Sequence, residues 1–154
     1  MILSQTSEYV IRAVAFIAVQ TDDKPVAAKE LSKHTSIPAH YLSKVLRKLV
    51  TANILNATKG HNGGFVLARP AHKVKIIDIL SAVESHVPAK HCIFGWRMCN
   101  SKDPCILHHR WSAVNDAFQT WARTTTLADI KNDAGTSRWL TTFKEKSATD
   151  DDAP

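Results

Sequence analysis

Apolar residues recur at helical spacing through the first third of the chain, and this pattern predicts three helices. The first is expected over 6–20, where Thr6 or Ser7 can cap its start. A short second helix is predicted over 26–36. A third helix follows, with Ser36 as a candidate cap, and its buried stripe is predicted to consist of four aliphatic residues: Leu42, Val45, Leu46 and Leu49.

A β-hairpin is predicted directly after the third helix. A strand-like run over 54–58 and a second run, "FVLA" at 65–68, flank the tip "KGHNGG". Asn-Gly and Gly-Gly steps are strong hairpin signals, since both residues tolerate a positive φ. Two helices joined by a tight turn and followed by a hairpin are the pattern of a winged helix-turn-helix.

A second apolar pattern, with a different rhythm, marks the later part of the chain. An amphipathic helix is predicted over 75–86, and a long helix from Pro104 onward. Five apolar residues of the long helix are spaced 4, 3, 4, 3, which is the rhythm of a coiled-coil seam. Such a stripe can be monomer core, but here it favours a homodimer interface made by these residues: Leu107, Trp111, Val114, Phe118 and Trp121.

The predicted fold class is therefore mainly α with a small β-hairpin wing, and a long C-terminal dimerisation helix follows the winged helix-turn-helix. We expect a DNA-binding domain at 1–85, a cysteine-rich sensor loop at 86–104 and a dimerisation helix with a packing segment at 105–143. "TTTLADI" in that segment can add a capped turn. Residues 144–154 are polar and acidic, which is typical of a disordered tail.

Positive charge is concentrated in the predicted DNA-binding domain. Residues 24–75 contain ten lysines and arginines but only one acid, Glu30, whereas the chain as a whole carries a net charge of +6. Such a block favours a polyanion, because each phosphate contact releases condensed counterions. We expect the partner to be double-stranded DNA, contacted by the outward side of the third helix and by the hairpin tip: Ala39, His40, Tyr41, Ser43, Lys44, Arg47, Lys48, Lys59, His61 and Asn62.

Several other classes of protein are disfavoured. The N-terminal segment lacks a basic region before its apolar run, so it does not resemble a secretory signal. No stretch approaches the roughly 18 apolar residues that a membrane-spanning helix needs. We therefore expect a cytoplasmic protein without a membrane partner. No nucleophile–base pairing or cofactor motif indicates an enzyme, and so none is predicted.

All three cysteines lie within 14 residues, in the pattern C-x6-C-x5-C-x2-H that ends at His108. In a reducing compartment such a cluster more often indicates metal or redox chemistry than a structural disulfide. Thiolates and an imidazole suit iron–sulfur iron, and three cysteines with one histidine also form a legitimate zinc set. A thiol–disulfide switch needs only two cysteines. The remaining alternative is that the three cysteines are buried without a chemical role. The loop disfavours it, because the segment is polar and contains several residues that interrupt regular structure.

The chain resembles the winged-helix regulators of the IscR, NsrR and RirA type. The resemblance covers nearly the whole sequence, from "SEYVIRAVAFIA" through "KGHNGGFVLARP" to "CILHH" and "TLADI". It implies a homodimeric transcription regulator, in the manner of a repressor, whose iron–sulfur cluster responds to iron status, nitric oxide or oxidants. Cys92, Cys99 and Cys105 match the family's cluster cysteines, although the first gap is one residue longer than in IscR-like members.

The resemblance leaves two candidates for the fourth ligand. His108 matches the histidine ligand of IscR-like members, and it is the ligand we expect. Glu8 matches the position from which NsrR-like members supply a carboxylate of the other subunit. His91 and His109 are two further candidate ligands next to this segment. A [2Fe–2S] cluster is favoured and a [4Fe–4S] cluster is possible. The alternative function is a winged-helix regulator that senses oxidants through its thiols or binds zinc, without an iron–sulfur cluster.

Overall fold

The computed structural model describes residues 3–20, 24–84, 92–94, 99–136 and 138–139. The predicted mainly helical architecture with one antiparallel hairpin is confirmed. A short 3-10 turn precedes α4. Within the described residues the elements are α1 (Gln5–Val19), α2 (Ala28–Thr35), α3 (Ala39–Thr51), β1 (Leu55–Thr58), β2 (Gly64–Leu67), α4 (Ile76–Val83), α5 (His108–Thr124) and α6 (Leu127–Asn132).

The hydrophobic core lies between α1, α3 and α4. Nine of the fifteen residues of α1 are buried, which fits a helix surrounded by α2, α4, α6 and the hairpin. On α3 the buried residues are Leu42, Val45, Leu46 and Leu49, so the predicted stripe is confirmed residue for residue. The opposite face of the same helix is polar and exposed, as a 3.6-residue period requires.

The hairpin forms as predicted, although β1 begins one residue later than expected and β2 lies one residue earlier. β1 and β2 pair antiparallel from Leu55↔Leu67 to Thr58↔Gly64. At the tip Gly60 has φ +108°, a conformation that side chains rarely adopt. Val26 forms a further bridge with Phe65, which ties the hairpin to the segment before α2.

Three predicted helix starts are wrong. Ser4, rather than Thr6 or Ser7, caps α1 and accepts a hydrogen bond from the Ser7 amide at 3.1 Å. Ser36 does not cap α3; it ends α2 in the left-handed conformation at φ 55°. The long helix begins at His108 and not at Pro104, with the Cys105 carbonyl accepting the His108 amide at 3.0 Å. Neighbouring hydroxyl residues give nearly equivalent capping signals, so spacing alone cannot choose among them.

The predicted capped turn near the C-terminus is confirmed as α6. Thr126 and Asp129 form a capping box, in which each side chain accepts the other residue's backbone N–H. α6 is fastened to the winged domain because the Leu127 amide donates to the Val74 carbonyl at 3.0 Å. The Ile76 amide donates likewise to Thr125 at 3.1 Å. Most of the predicted sensor loop and the predicted disordered tail lie outside the described residues, as does His91.

Candidate DNA-binding surface and metal centre

The outward face of α3 carries the predicted DNA-contacting side chains. His40, Lys44, Arg47 and Lys48 are exposed, while Ala39 and Ser43 are partly exposed. Small side chains near the start of the helix and long cations further along suit an element that enters a major groove. The sequence pattern placed these residues on one face, and the structure brings them together there.

Two of the predicted DNA contacts also take part in bonds within the protein. The Tyr41 hydroxyl lies 2.6 Å from Thr6 Oγ1 on α1, and its ring meets Tyr9 edge-on at 5.7 Å between centroids. Lys48 Nζ donates to the Val83 carbonyl, at the end of α4, at 3.3 Å. Tyr41 therefore faces α1 more than solvent, and Lys48 joins α3 to the element that leads into the cysteine loop.

The hairpin tip exposes Lys59, His61 and Asn62. A Cβ added at Gly63 would meet the Thr58 carbonyl oxygen at 2.4 Å, so this turn requires glycine. Because the hairpin follows α3 through a short turn, its tip extends the basic surface beyond the helix. A tip of this kind can reach a phosphate backbone or a minor groove.

The cysteine site consists of two close pairs of donors at the start of α5. Cys92 Sγ lies 3.7 Å from Cys105 Sγ, and Cys99 Sγ lies 3.3 Å from His108 Nδ1. All three cysteines are free thiols, and Cys92 and His108 are buried. His109 is exposed, with its ring edge-on to that of His108. The structure thus arranges the three cysteines and the favoured histidine as two separate pairs.

Electrostatics at this site oppose an additional negative charge. Partial removal of water raises the pKa of the Cys99 thiol, and electrostatic interactions with Cys92, Cys105 and Asp116 raise it further. A bound cation would reverse this effect, because it stabilises the thiolate form. Sequence reasoning missed Asp116, which no motif marks; its place on α5, eight residues after His108, could have suggested it.

The four donors do not form one compact group. Among the residues that the structure describes, no three His, Cys, Asp or Glu side chains converge on a point that could hold a metal ion. Glu8, the other predicted fourth ligand, lies elsewhere: it lines a groove of about 360 Å³ that also includes Trp121, near the far end of α5. Trp121 is thirteen residues after His108, which is about 20 Å along the helix.

The apolar stripe of α5 faces outward. Among the described residues of α5, His108, Asn115 and Ala122 are buried, and the partly buried Phe118 also packs against the core. Leu107 is 36% exposed, Val114 44% and Trp121 42%, while Trp111 and Phe118 are partly exposed. Ile106, just before the helix, is 93% exposed. Three of the five residues predicted for the dimer interface are therefore exposed, whereas Phe118 packs partly against the core.

A second set of polar contacts joins the end of α4 to the start of α1. Glu84 Oε1 accepts hydrogen bonds from Ser4 Oγ and from Ser7 Oγ, the latter at 2.6 Å. Glu84 is the last described residue before the cysteine segment. The side chain that closes α4 therefore also holds the N-terminus of α1, a role that no sequence motif indicated.

A basic helix after a tight turn, with a hairpin wing beside it, defines a winged helix-turn-helix DNA-binding protein. The model of one family within this class, Rrf2, described as "Iron-dependent Transcriptional regulator", matches residues 3–133. The chain belongs to the Rrf2 family and is a transcriptional regulator.

Individual relatives and solved structures agree with this assignment. IscR of Escherichia coli, described as an HTH-type transcriptional regulator, is 25% identical over 132 residues, which are 86% of this chain and 81% of IscR. The structure of "T. potens IscR" has a TM-score of 0.68 and 22% identity, covering 88% of this chain and 90% of that one. CymR, "the Global Cysteine Regulator of B. subtilis", has a TM-score of 0.70 and 20% identity, covering 84% and 95%.

The sequence predicts neither an enzyme nor a membrane-spanning helix, and these findings bear on both predictions. The relatives are transcription regulators rather than enzymes, which confirms the expectation that this chain is not an enzyme. No helix among the described residues is long and apolar enough to cross a membrane.

Proposed function

We propose that the chain is a homodimeric transcription regulator, acting as a repressor, whose operator affinity depends on an iron–sulfur cluster held by Cys92, Cys99, Cys105 and His108. The observation that carries this proposal is the pairing of donors at the start of α5. Cys99 Sγ and His108 Nδ1 are 3.3 Å apart, and Cys92 Sγ and Cys105 Sγ are 3.7 Å apart. Thiolate and imidazole are the donors that iron–sulfur centres take. Iron status, nitric oxide and oxidants are the signals to which such a centre would respond.

His108 is the preferred fourth ligand. It is buried and lies beside Cys99, whereas Glu8 lines a groove with Trp121 near the other end of α5. Glu8 could approach a cluster only if a second subunit placed its own cysteine loop there, as an antiparallel pairing of two α5 helices would do. With His108 one chain supplies four donors, which favours a site made within one subunit.

The homodimer is supported by the outward apolar stripe of α5. A stripe with a 4, 3, 4, 3 spacing, of which Leu107, Val114 and Trp121 are exposed among the described residues, is a suitable seam for a second copy. Exposing such a stripe of apolar side chains to water is unfavourable in free energy, and exposed apolar patches commonly mark interaction surfaces. The cysteines lie directly before α5. A cluster bound by them would therefore also fix the position of the first turn of α5, where the proposed dimer seam begins.

The contacts of α4 provide a route from the cysteine site to the DNA-binding surface. Lys48 on α3 donates to Val83, and Glu84 accepts from Ser7 on α1. Both acceptors stand at the end of α4, where the chain enters the cysteine segment. The ligand residues therefore bias the positions of α3 and α1 through α4, and a change of cluster state would shift the population of DNA-binding dimers.

A thiol switch is the second candidate. Cys92 and Cys105 are the closest pair of sulfurs described, and a short movement would join them in a disulfide. One of the similar structures is entitled "Crystal structure of Staphylococcus aureus CymR oxidized form" (TM-score 0.69, 19% identity). In this alternative no iron is required, and oxidation itself changes the loop that precedes α5.

Anaerobic purification separates the two candidates. A brown protein that contains iron and acid-labile sulfide in equal amounts supports the cluster. A colourless protein with neither, or with stoichiometric zinc, contradicts it.

Function is tested with DNA duplexes selected from a random pool by the wild-type protein. The triple variant Cys92→Ala, Cys99→Ala, Cys105→Ala should lose its response to nitric oxide or oxidant. Unchanged affinity and an unchanged response in that variant would refute a sensing role for the cysteines. The exposed His109→Ala variant is the matched control for a histidine beside the site.

A further inference from the structure

The distances within the cysteine site divide its four donors into two pairs. Two thiolates bound to one tetrahedral ion at about 2.3 Å are about 3.8 Å apart, and a thiolate and an imidazole are about 3.5 Å apart. The observed separations are 3.7 Å for Cys92 and Cys105, and 3.3 Å for Cys99 and His108. Each pair therefore has the spacing of two ligands on one metal ion.

The two pairs do not share one ion. A mononuclear zinc site would need all four donors at the corners of a single tetrahedron, with every pair equally close. Over the described part of the chain, no three potential ligands converge on one point. The shape of the site thus suits a centre with two metal ions, each bound by two protein side chains.

We propose that Cys92 and Cys105 bind one iron of a [2Fe–2S] cluster, and that Cys99 and His108 bind the other. This proposal rests on the proposed function, and it adds the assignment of each ligand to an iron. His108 is only three residues after Cys105, so proximity in sequence would favour the pairing of those two. The structure instead places His108 Nδ1 beside Cys99.

The assignment has a consequence for the electron taken up on reduction. A neutral imidazole leaves its iron less negative than two thiolates do, so the added electron should reside on the iron bound by His108. Cys99 would share that iron, whereas Cys92 and Cys105 would bind the iron that stays oxidised. Changes at Cys99 and at Cys105 should therefore affect the reduced cluster differently.

The first test compares Cys99→Ser with Cys105→Ser in the cluster-loaded protein. Histidine is labelled with ¹⁵N, the cluster is reduced with dithionite, and the imidazole coupling is measured by pulsed electron paramagnetic resonance. Cys99→Ser should change the coupling more than Cys105→Ser, because the new oxygen ligand joins His108 on the reduced iron. A larger change in Cys105→Ser, or equal changes, would overturn the assignment.

A second test remains decisive if these variants do not retain a cluster. The full-length, metal-free protein is treated with diamide, alkylated, and digested for mass spectrometry. Diamide adds to the thiolate of Cys105. The nearest thiolate then attacks the Cys105 sulfur and displaces the reduced diamide. Two thiols then lose two electrons and two protons to form one disulfide, while diamide is reduced to its hydrazine.

The expected product of that oxidation is the Cys92–Cys105 disulfide, with Cys99 left alkylated. A dominant disulfide that contains Cys99 would overturn the pairing. Iron and sulfide analysis of the wild-type protein keeps the two hypotheses separate. Their absence refutes the proposed cluster and with it the assignment to two irons, whereas the disulfide pattern tests the pairing of the side chains by itself.

Discussion

The helices α3 and α5 are both amphipathic, but they present opposite faces to the core. α3 buries its aliphatic stripe, with Leu46 and Leu49 fully covered, and exposes cations. α5 covers His108, Asn115 and Ala122, and it exposes much of its apolar stripe. The first helix is complete within one chain and offers its free face to a polyanion. The second leaves three residues of its apolar stripe exposed: Leu107, Val114 and Trp121.

This contrast explains which parts of the molecule a periodic pattern could predict. The stripe of α3 was predicted residue for residue because a buried face follows directly from a 3.6-residue period. The same period identified the stripe of α5, but periodicity reports amphipathicity and not what covers the apolar side. Only the structure shows that α4 meets the opposite side of α5.

The candidate site was predictable in composition but not in geometry. Three cysteines and His108 follow from the sequence and from the family resemblance. Their division into pairs depends on how the loop folds back, which no local rule specifies. The contact of Glu84 with Ser7 was likewise not predictable, because it joins residues 77 positions apart.

The largest expected effect comes from truncating the covered stripe of α3. Leu46→Ala leaves a cavity among fully buried neighbours, and such changes cost about 2–5 kcal/mol. Urea unfolding should therefore show a comparable loss in the free energy of unfolding. Trp121→Ala on α5, a larger truncation at an exposed position, should cost the isolated chain less. The reverse order would contradict the contrast between the two helices.

Charge placed on the stripe of α5 should act on assembly. Val114→Asp puts a carboxylate in the seam, where an unpaired charge is costly, and should raise the dimer Kd by about 30-fold or more. Sedimentation velocity measures the shift to monomer, and circular dichroism should show an unchanged helix content. Ala113→Asp adds the same charge at an exposed position beside the stripe. If both variants dissociate equally, or neither does, the stripe is not the dimer seam.

Removing cations from α3 should weaken DNA binding by a smaller factor. The double variant Lys44→Ala, Arg47→Ala should lose about tenfold in affinity, and the slope of log K against log salt should fall by about 2 per subunit, or about 4 for the dimer. Fluorescence anisotropy with a selected duplex at several salt concentrations measures both. The exposed pair Lys102→Ala, Lys131→Ala carries the same charge change outside the winged domain. Equal losses in the two double variants would show that α3 is not the recognition helix.

The smallest effect concerns the joint between the two regions, where α6 fastens the end of α5 to the winged domain. Hydrogen bonds from the Thr126 backbone and side chain lower the pKa of Asp129. A carboxyl whose pKa is lower in the folded state stabilises the fold above its unfolded pKa, near 4, and loses that contribution as the pH falls through the folded value. Asp129→Asn should therefore make the free energy of unfolding fall less steeply as the pH is lowered below about 4. Thermal unfolding from pH 6 to pH 2 measures this, with the exposed Glu30→Gln as control. If the variant lost as much stability at acid pH as the wild type, the Asp129 carboxylate would contribute nothing to the stability of this joint. In that case α5 would be held to the winged domain by packing and backbone hydrogen bonds alone.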